Sequence, residues 1–243
     1  MIESVLVGIF GVCIGSFLNV AIVRIPKGES IHLPASHCPQ CLHTLNWYHN
    51  IPLLSWLFLR GKCAFCHKPV SCQYPLVELC SAFLYILCYL KTHEVISGLI
   101  LGSVFSLLLA LSVIDLRYKA VPDVLSLPAL ILAFCVNLPL LSLEYGLLFM
   151  GGFTLLRFSI SAIMKKEAMG EADTIIAGII GALLGIKLGL VAIYLSAVLA
   201  LIVFMILRRK GYELPFIPFL SAGLLITWLF DTSILLLLER MYE

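Results

Sequence analysis

Asp115 closes one long apolar run (VFSLLLALSVID) and Asp173 opens another (GEADTIIAGIIGALLG). Burying a carboxylate at the end of a membrane span is costly, so its presence there marks a site of chemistry. Two carboxylates that share a water can split a peptide bond: one, ionised, takes a proton from the water, while the other, protonated, polarises the scissile carbonyl. The pair must differ in proton affinity. Like charges a few ångströms apart in a low-dielectric setting bring that about, and the pair then titrates as a unit. Asp123 is a third candidate, but it follows Pro122 and opens the next apolar run, which equally suits a helix cap. Asp173 also begins a helix, and capping is its alternative role. Glu171 stands beside it, and Asp231 reads as an interface residue near the end of the last apolar run.

A second chemistry lies in a polar insert. Cys38-Pro-Gln-Cys41 and Cys63-Ala-Phe-Cys66 are separated by 21 residues, close to the paired-knuckle spacing in which four thiolates converge tetrahedrally on one zinc ion. Each CxxC turn sets two sulfurs on one side of a tight loop. A domain this small lacks the core to fold by burial alone, so the metal would supply folding energy. The rival readings are two redox dithiols or disulfides, which a cytosolic setting disfavours. His37, His43 and His67 are solvated loop residues on this view, because four thiolates complete the site. Cys72 lies outside both pairs, and Cys13, Cys80, Cys88 and Cys135 are packing residues of the apolar runs.

The elements that must position these groups are membrane helices. The chain has 243 residues, 61% hydrophobic and 12% charged, with mean hydropathy +1.07, more apolar than a soluble core can bury. Apolar runs predict spans near 4–23, 72–90, 96–114, 124–141, 146–164, 174–186, 188–207 and 215–238. That gives an all-α polytopic membrane protein of about eight transmembrane helices, or seven if the break near Lys187 is only a kink. Residues 1–23 form the first helix, expected to remain as an anchor because its start carries Glu3 rather than a basic run. Residues 24–71 form a small zinc-binding loop domain, and residues 72–243 the membrane-embedded domain that carries the aspartates. Glycines four residues apart, such as Gly11/Gly15 and Gly181/Gly185, suit close helix packing.

Twelve of the 16 Lys and Arg residues fall on one side of this arrangement: Arg24, Lys27, Arg60, Lys62, Lys68, Arg117, Lys119, Lys165, Lys166, Arg208, Arg209 and Lys210. That side is expected to be cytoplasmic, which puts the N-terminus outside and both aspartates and the cysteine loop inside. Arg157, about halfway along the fifth run, would snorkel or pair with an acidic group, or hold a carboxylate near the active site. A net charge of +2, scattered along the chain, excludes the basic face that nucleic-acid binding requires.

These residues together resemble the type IV prepilin peptidases, over nearly the whole chain. GSFLNVAIVRIP at 15–26 is similar to the family's opening motif. SHCPQC at 36–41, LNWYHNIPLLSWLFLRGKC at 45–63 and YPLVE at 74–78 resemble its zinc loop. ID followed by seven residues and Asp123 matches the region of the first catalytic aspartate, and GEAD at 170–173 matches the GxGD box. The resemblance implies Asp115 and Asp173 as the catalytic pair, supported by Asp123, Gly170 and Ala172. Ala172 stands where the family pattern has glycine, and alanine would be strained there if the backbone needed positive φ. PFIPFL at 215–220 resembles a further element, with Ile217 where glycine is common.

By the same resemblance the substrates are prepilins or pseudopilins, cut on the cytoplasmic side of the leader's hydrophobic segment in the bacterial inner membrane. The partners are the pilus, secretion or competence machinery. Many such enzymes then methylate the new N-terminus with S-adenosylmethionine, for which this sequence shows no glycine-rich nucleotide loop. Two other classes fit parts of the pattern. A transporter could bind ions or relay protons at Asp115 and Asp173, although those lie at helix ends and no inverted repeat is evident. A zinc-loop membrane scaffold would explain the cysteines and leave the aspartates idle.

Overall fold

The structure is a computed structural model that describes residues 2–137, 139–165, 170–207 and 214–242. Lys166, Arg208, Arg209 and Lys210, counted above for orientation, lie outside the described residues. The protein is an all-α polytopic membrane protein. Among the described residues, five helices are long and apolar enough to span a bilayer, or six with one bent pair counted as a span. The chain divides into two compact units, Met1–Ala110 and Leu111–Glu243, with the boundary inside one helix.

The first unit holds α1 (Ile2–Arg24), the short α2 (Leu54–Phe58), α3 (Gln73–Thr92) and the start of α4 (Val95–Tyr118). Twenty residues of α3 rise about 30 Å, the thickness of the hydrocarbon core. Small residues let α1 and α3 pack backbone to backbone. A Cβ added at Gly11 would stand 2.8 Å from the Ala82 Cα, and one at Gly15 would stand 2.7 Å from the Glu78 Cα, so no larger residue fits either place. At the loop end the same two helices are tied by polar groups. The Asn19 Nδ2 donates to the Tyr74 carbonyl (3.0 Å), and the Gln73 Nε2 donates to the Asn19 Oδ1 (3.3 Å). Buried Arg24 gathers the chain beyond α1 by donating to the carbonyls of Ser30, Ile31 and Ala35.

The second unit holds the rest of α4, then α5 (Asp123–Phe134), α6 (Pro139–Met164), α7 (Glu171–Leu207), α8 (Ile217–Leu229) and α9 (Asp231–Tyr242). The eight apolar runs of the sequence map onto α1, α3, α4, α5, α6, the two halves of α7, and the bent pair α8–α9. Several boundaries move. The run expected at 124–141 is cut short at Phe134, and Pro139 opens the next helix. Proline lacks an amide donor and has its φ already set, which suits the first position of a helix. Helices α8 and α9 meet at an angle of 78° around Phe230.

In α7 the break falls at Gly185 (φ 67°, ψ −166°), two residues before Lys187. Eight residues of straight helix would separate positions 181 and 189 by about 12 Å. Yet ring atoms of the single side chain Phe149 lie 2.8 Å from a Cβ added at Gly181 and 2.6 Å from one added at Gly189, so the helix turns sharply between them. The carbonyls this releases need donors. The Asn137 Nδ2 supplies them, reaching Leu183 (3.3 Å) and Ala182 (3.5 Å).

Candidate active site and metal centre

Both aspartates of the proposed pair are buried, Asp115 to 7% exposure and Asp173 to 9%. Asp115 lies one turn from the end of α4 and accepts a hydrogen bond at Oδ2 from the backbone amide of Ile217, the first residue of α8 (3.2 Å). One turn deeper the Ser112 hydroxyl donates to the Ser221 hydroxyl (3.2 Å), so α4 and α8 are fastened twice beside the carboxylate. Asp173 is the third residue of α7 and accepts at Oδ2 from the amide of Gly170 (3.1 Å). That is the reciprocal half of a capping box, in which a residue in the first helical turn reaches back to the residue just before the helix. Asp173 thus sits inside the first turn rather than at the capping position foreseen for it, and this bond engages one oxygen and fixes the side chain's direction. Fully buried Leu111, Ile114, Ile176, Ile180 and Leu220 exclude water from the surrounding core.

The other acidic candidates separate from this pair. Asp123 opens α5, is exposed, and lies in the first turn, where a negative charge complements the helix dipole. Glu171 is also exposed and makes an ion pair with Arg157 of α6 (3.0 Å), so Arg157 meets an acidic group two residues from Asp173. Ala172 is a helical residue of α7 and is absent from the positions with positive φ. The strain conceivable for alanine at that place does not arise. Gly170, just before the helix, contributes its amide rather than an unusual conformation.

The four cysteines converge. The sulfurs of Cys38, Cys41, Cys63 and Cys66 all lie within 4.8 Å of one another, and those of Cys38 and Cys66 are 3.9 Å apart. Tetrahedral zinc with Zn–S bonds of 2.3 Å requires about 3.8 Å between sulfurs, so the donor set and its spacing fit that metal. The two knuckles are near copies. Cys38 takes the His43 carbonyl and gives its own to Leu42, and Cys63 does the same with Lys68 and His67. The residue after each second cysteine has positive φ, Leu42 at 57° and His67 at 56°. Backbone amides of Cys66 and Phe65 hold the Cys63 thiol down to about 7, which favours the ligating thiolate. His43 stacks on Phe65 with ring centroids 3.7 Å apart, bridging the knuckles, and no histidine joins the described cluster. Of the remaining cysteines only Cys88 is buried as a packing residue, whereas Cys13, Cys72, Cys80 and Cys135 face outward.

Both centres fall in regions matched by known families. Residues 9–92 match the Bacterial Peptidase A24 N-terminal domain, and residues 102–205 match the Type IV leader peptidase family. A "Type 4 prepilin-like proteins leader peptide-processing enzyme" of Escherichia coli is 36% identical over 245 residues, covering 90% of this chain and 91% of that one. The chain belongs to the type IV leader peptidase family. A "Prepilin leader peptidase/N-methyltransferase" of Dichelobacter nodosus is 33% identical, covering 94% of this chain and 92% of the relative. Another of that name, from Myxococcus xanthus, is 37% identical over 190 residues, which are 74% of this chain but 56% of the relative. No solved structure matches.

Membership of the leader peptidase family displaces the transporter and scaffold readings. The matched regions contain the four cysteines and both aspartates, but they stop before residues 215–220. Sequence reasoning noted that segment without giving it work. Its work in the structure is to deliver the Ile217 amide to Asp115. The available signal was the proline-flanked start of an apolar run, a helix N-terminus whose free amides need an acceptor.

Proposed function

We propose that this protein is a membrane-embedded aspartyl endopeptidase that removes the short basic leader of type IV prepilins or pseudopilins, with Asp115 and Asp173 as its catalytic pair. The observation that carries this reading is that two carboxylates 58 positions apart in sequence are both buried and each accepts a hydrogen bond at one oxygen from a backbone amide at the start of a helix. Such a pair shares a proton. The ionised member takes a proton from a water as its oxygen bonds to the scissile carbonyl carbon. The protonated member donates to the carbonyl oxygen, and collapse breaks the C–N bond as the amine takes up a proton. The anchored Oδ2 atoms keep both groups oriented through this cycle.

The excess of cations supports an active site facing the cytoplasm, with the substrate's apolar helix entering from the bilayer. Cys38, Cys41, Cys63 and Cys66 would hold zinc, which would crosslink a loop too small to fold by burial and take no part in hydrolysis. Relatives named N-methyltransferase support a methyl-transfer step; it would act on the new N-terminus, with S-adenosylmethionine as the donor. Pilus, secretion and competence assemblies would use the products.

Cleavage of a membrane-inserted prepilin by the parent, Asp115→Asn, Asp173→Asn and Asp123→Asn proteins, each at verified expression, tests the reading. The parent and Asp123→Asn should cut, and the other two should not. An inactive Asp123→Asn beside an active Asp115→Asn would transfer the first role to Asp123. A well-expressed parent that cuts no prepilin would overturn the assignment.

A further inference from the structure

The segment 51–62 of the loop has features that the metal and the aspartates leave unexplained. Helix α2 turns Trp56 inward, where its ring lies 2.8 Å from a Cβ added at Gly61 and its indole N–H donates to the Val70 carbonyl (3.4 Å). Its opposite face is apolar and bare. Leu54, Leu57 and Phe58, at i, i+3 and i+4, are 52%, 67% and 80% exposed. A water-facing loop has no reason to present these three side chains together.

The depth of this helix is set by one hydrogen bond. The amide of Leu53, directly before α2, donates to the Glu78 Oε2 at 2.7 Å. Glu78 is buried in the seam between α1 and α3, five residues into the span, which is about 7.5 Å along its axis. Helical side chains lean toward the N-terminus, so the carboxylate reaches back toward the loop but stays within the first two turns of α3. Leu53 adopts φ 61°, ψ −51°, a conformation rare for a branched residue, and thereby turns the chain into α2 at that level. Exposed Arg60 and Lys62 follow the apolar face directly.

We propose that α2 is an interfacial foot that docks on the phospholipid leaflet from which the loop emerges. Leu54, Leu57 and Phe58 lie at the boundary of headgroups and acyl chains, and Arg60 and Lys62 meet the phosphates. Glu78 is the tether that holds the foot at this depth. The foot joins the cysteine loop to the membrane surface at a third point, besides the ends of α1 and α3.

The test uses the full-length protein in phosphatidylcholine–phosphatidylglycerol vesicles. Phe58→Trp is introduced into a Trp47→Phe background, and emission from position 58 is taken as the difference from that background, with retained zinc showing that the loop is folded. An interfacial foot gives blue-shifted emission that falls at least roughly twofold when the acyl chains are brominated and that aqueous iodide leaves unchanged. Red emission quenched by iodide but not by bromolipid would overturn the proposal. Emission insensitive to both quenchers would also overturn it, because the face would then be covered by protein, whether a second copy or a substrate. Glu78→Ala should release the foot, so that with zinc retained the position-58 emission shifts red and gains iodide quenching. Unchanged emission in that variant would remove Glu78 from the role of tether.

Discussion

The two units build their centres by opposite means. In Met1–Ala110 the cysteines are positioned by short-range backbone geometry, with each knuckle closed by hydrogen bonds across five residues and the two knuckles brought together by sulfur chemistry and one histidine–phenylalanine stack. In Leu111–Glu243 the carboxylates are positioned by packed helices, and the amide that anchors Asp115 comes from 102 residues further on. A centre of the first kind would depend on a metal held between its sulfurs and would tolerate changes elsewhere. A centre of the second kind is held by the helix core around it.

The largest effect that would sharpen this contrast is loss of either buried carboxylate. Asp115→Asn and Asp173→Asn should each lower prepilin cleavage by roughly a thousandfold or more, the order expected for removing a general acid or base, with zinc content unchanged. If either substitution also releases zinc, the two units are not independent and the comparison fails. Next comes the metal. Cys38→Ser and Cys63→Ser should remove zinc, measured by elemental analysis, and make the loop protease-sensitive, while cleavage of prepilin persists in part. Complete loss of cleavage in these variants would show that the loop does more than stand on its metal.

Smaller effects examine how the helices aim Asp173. Arg157→Gln breaks an ion pair with exposed Glu171, and such pairs contribute about 1 kcal/mol or less, so the cleavage rate should fall by less than roughly fivefold. A loss of the size seen for Asp173→Asn would make Arg157 part of the catalytic machinery. The smallest change is expected from Ala172→Gly. Alanine is already helical there, and glycine lowers helix propensity by about 1 kcal/mol at most, so activity should stay within about twofold of the parent. A large gain would mean that the family's glycine is needed in a conformation this helix does not show.

Legibility followed the range of the interactions. The CxxC pairs could be read because each sets two thiolates on one tight turn, and the apolar runs could be read because the bilayer sets their length. Asp115 and Asp173 stood out as charges at the ends of such runs, and family resemblance paired them. What resisted reading was the helix breaks. The break between Phe134 and Pro139 lay inside what read as one long apolar run, although Pro139 was visible there as a helix start. The bend at Gly185 depends on packing around Phe149 and on the Asn137 amide, which no local pattern announces. Whether Ala172 needed positive φ could not be read from its residue type, and its backbone proved helical.

Composition, apolar run length and cysteine spacing by themselves determined an all-helical membrane protein with a four-thiolate centre and two carboxylates at span ends. Those are properties of single segments, and local chemistry and the thickness of a bilayer are enough to fix them. Tertiary structure alone decided that Asp115 is anchored by Ile217, that Glu171 is drawn to Arg157 while Asp173 turns inward, and that Leu53 is tied to Glu78. Each of these joins residues on different segments, and only the close packing of helices brings a particular donor within 3.2 Å of a particular acceptor.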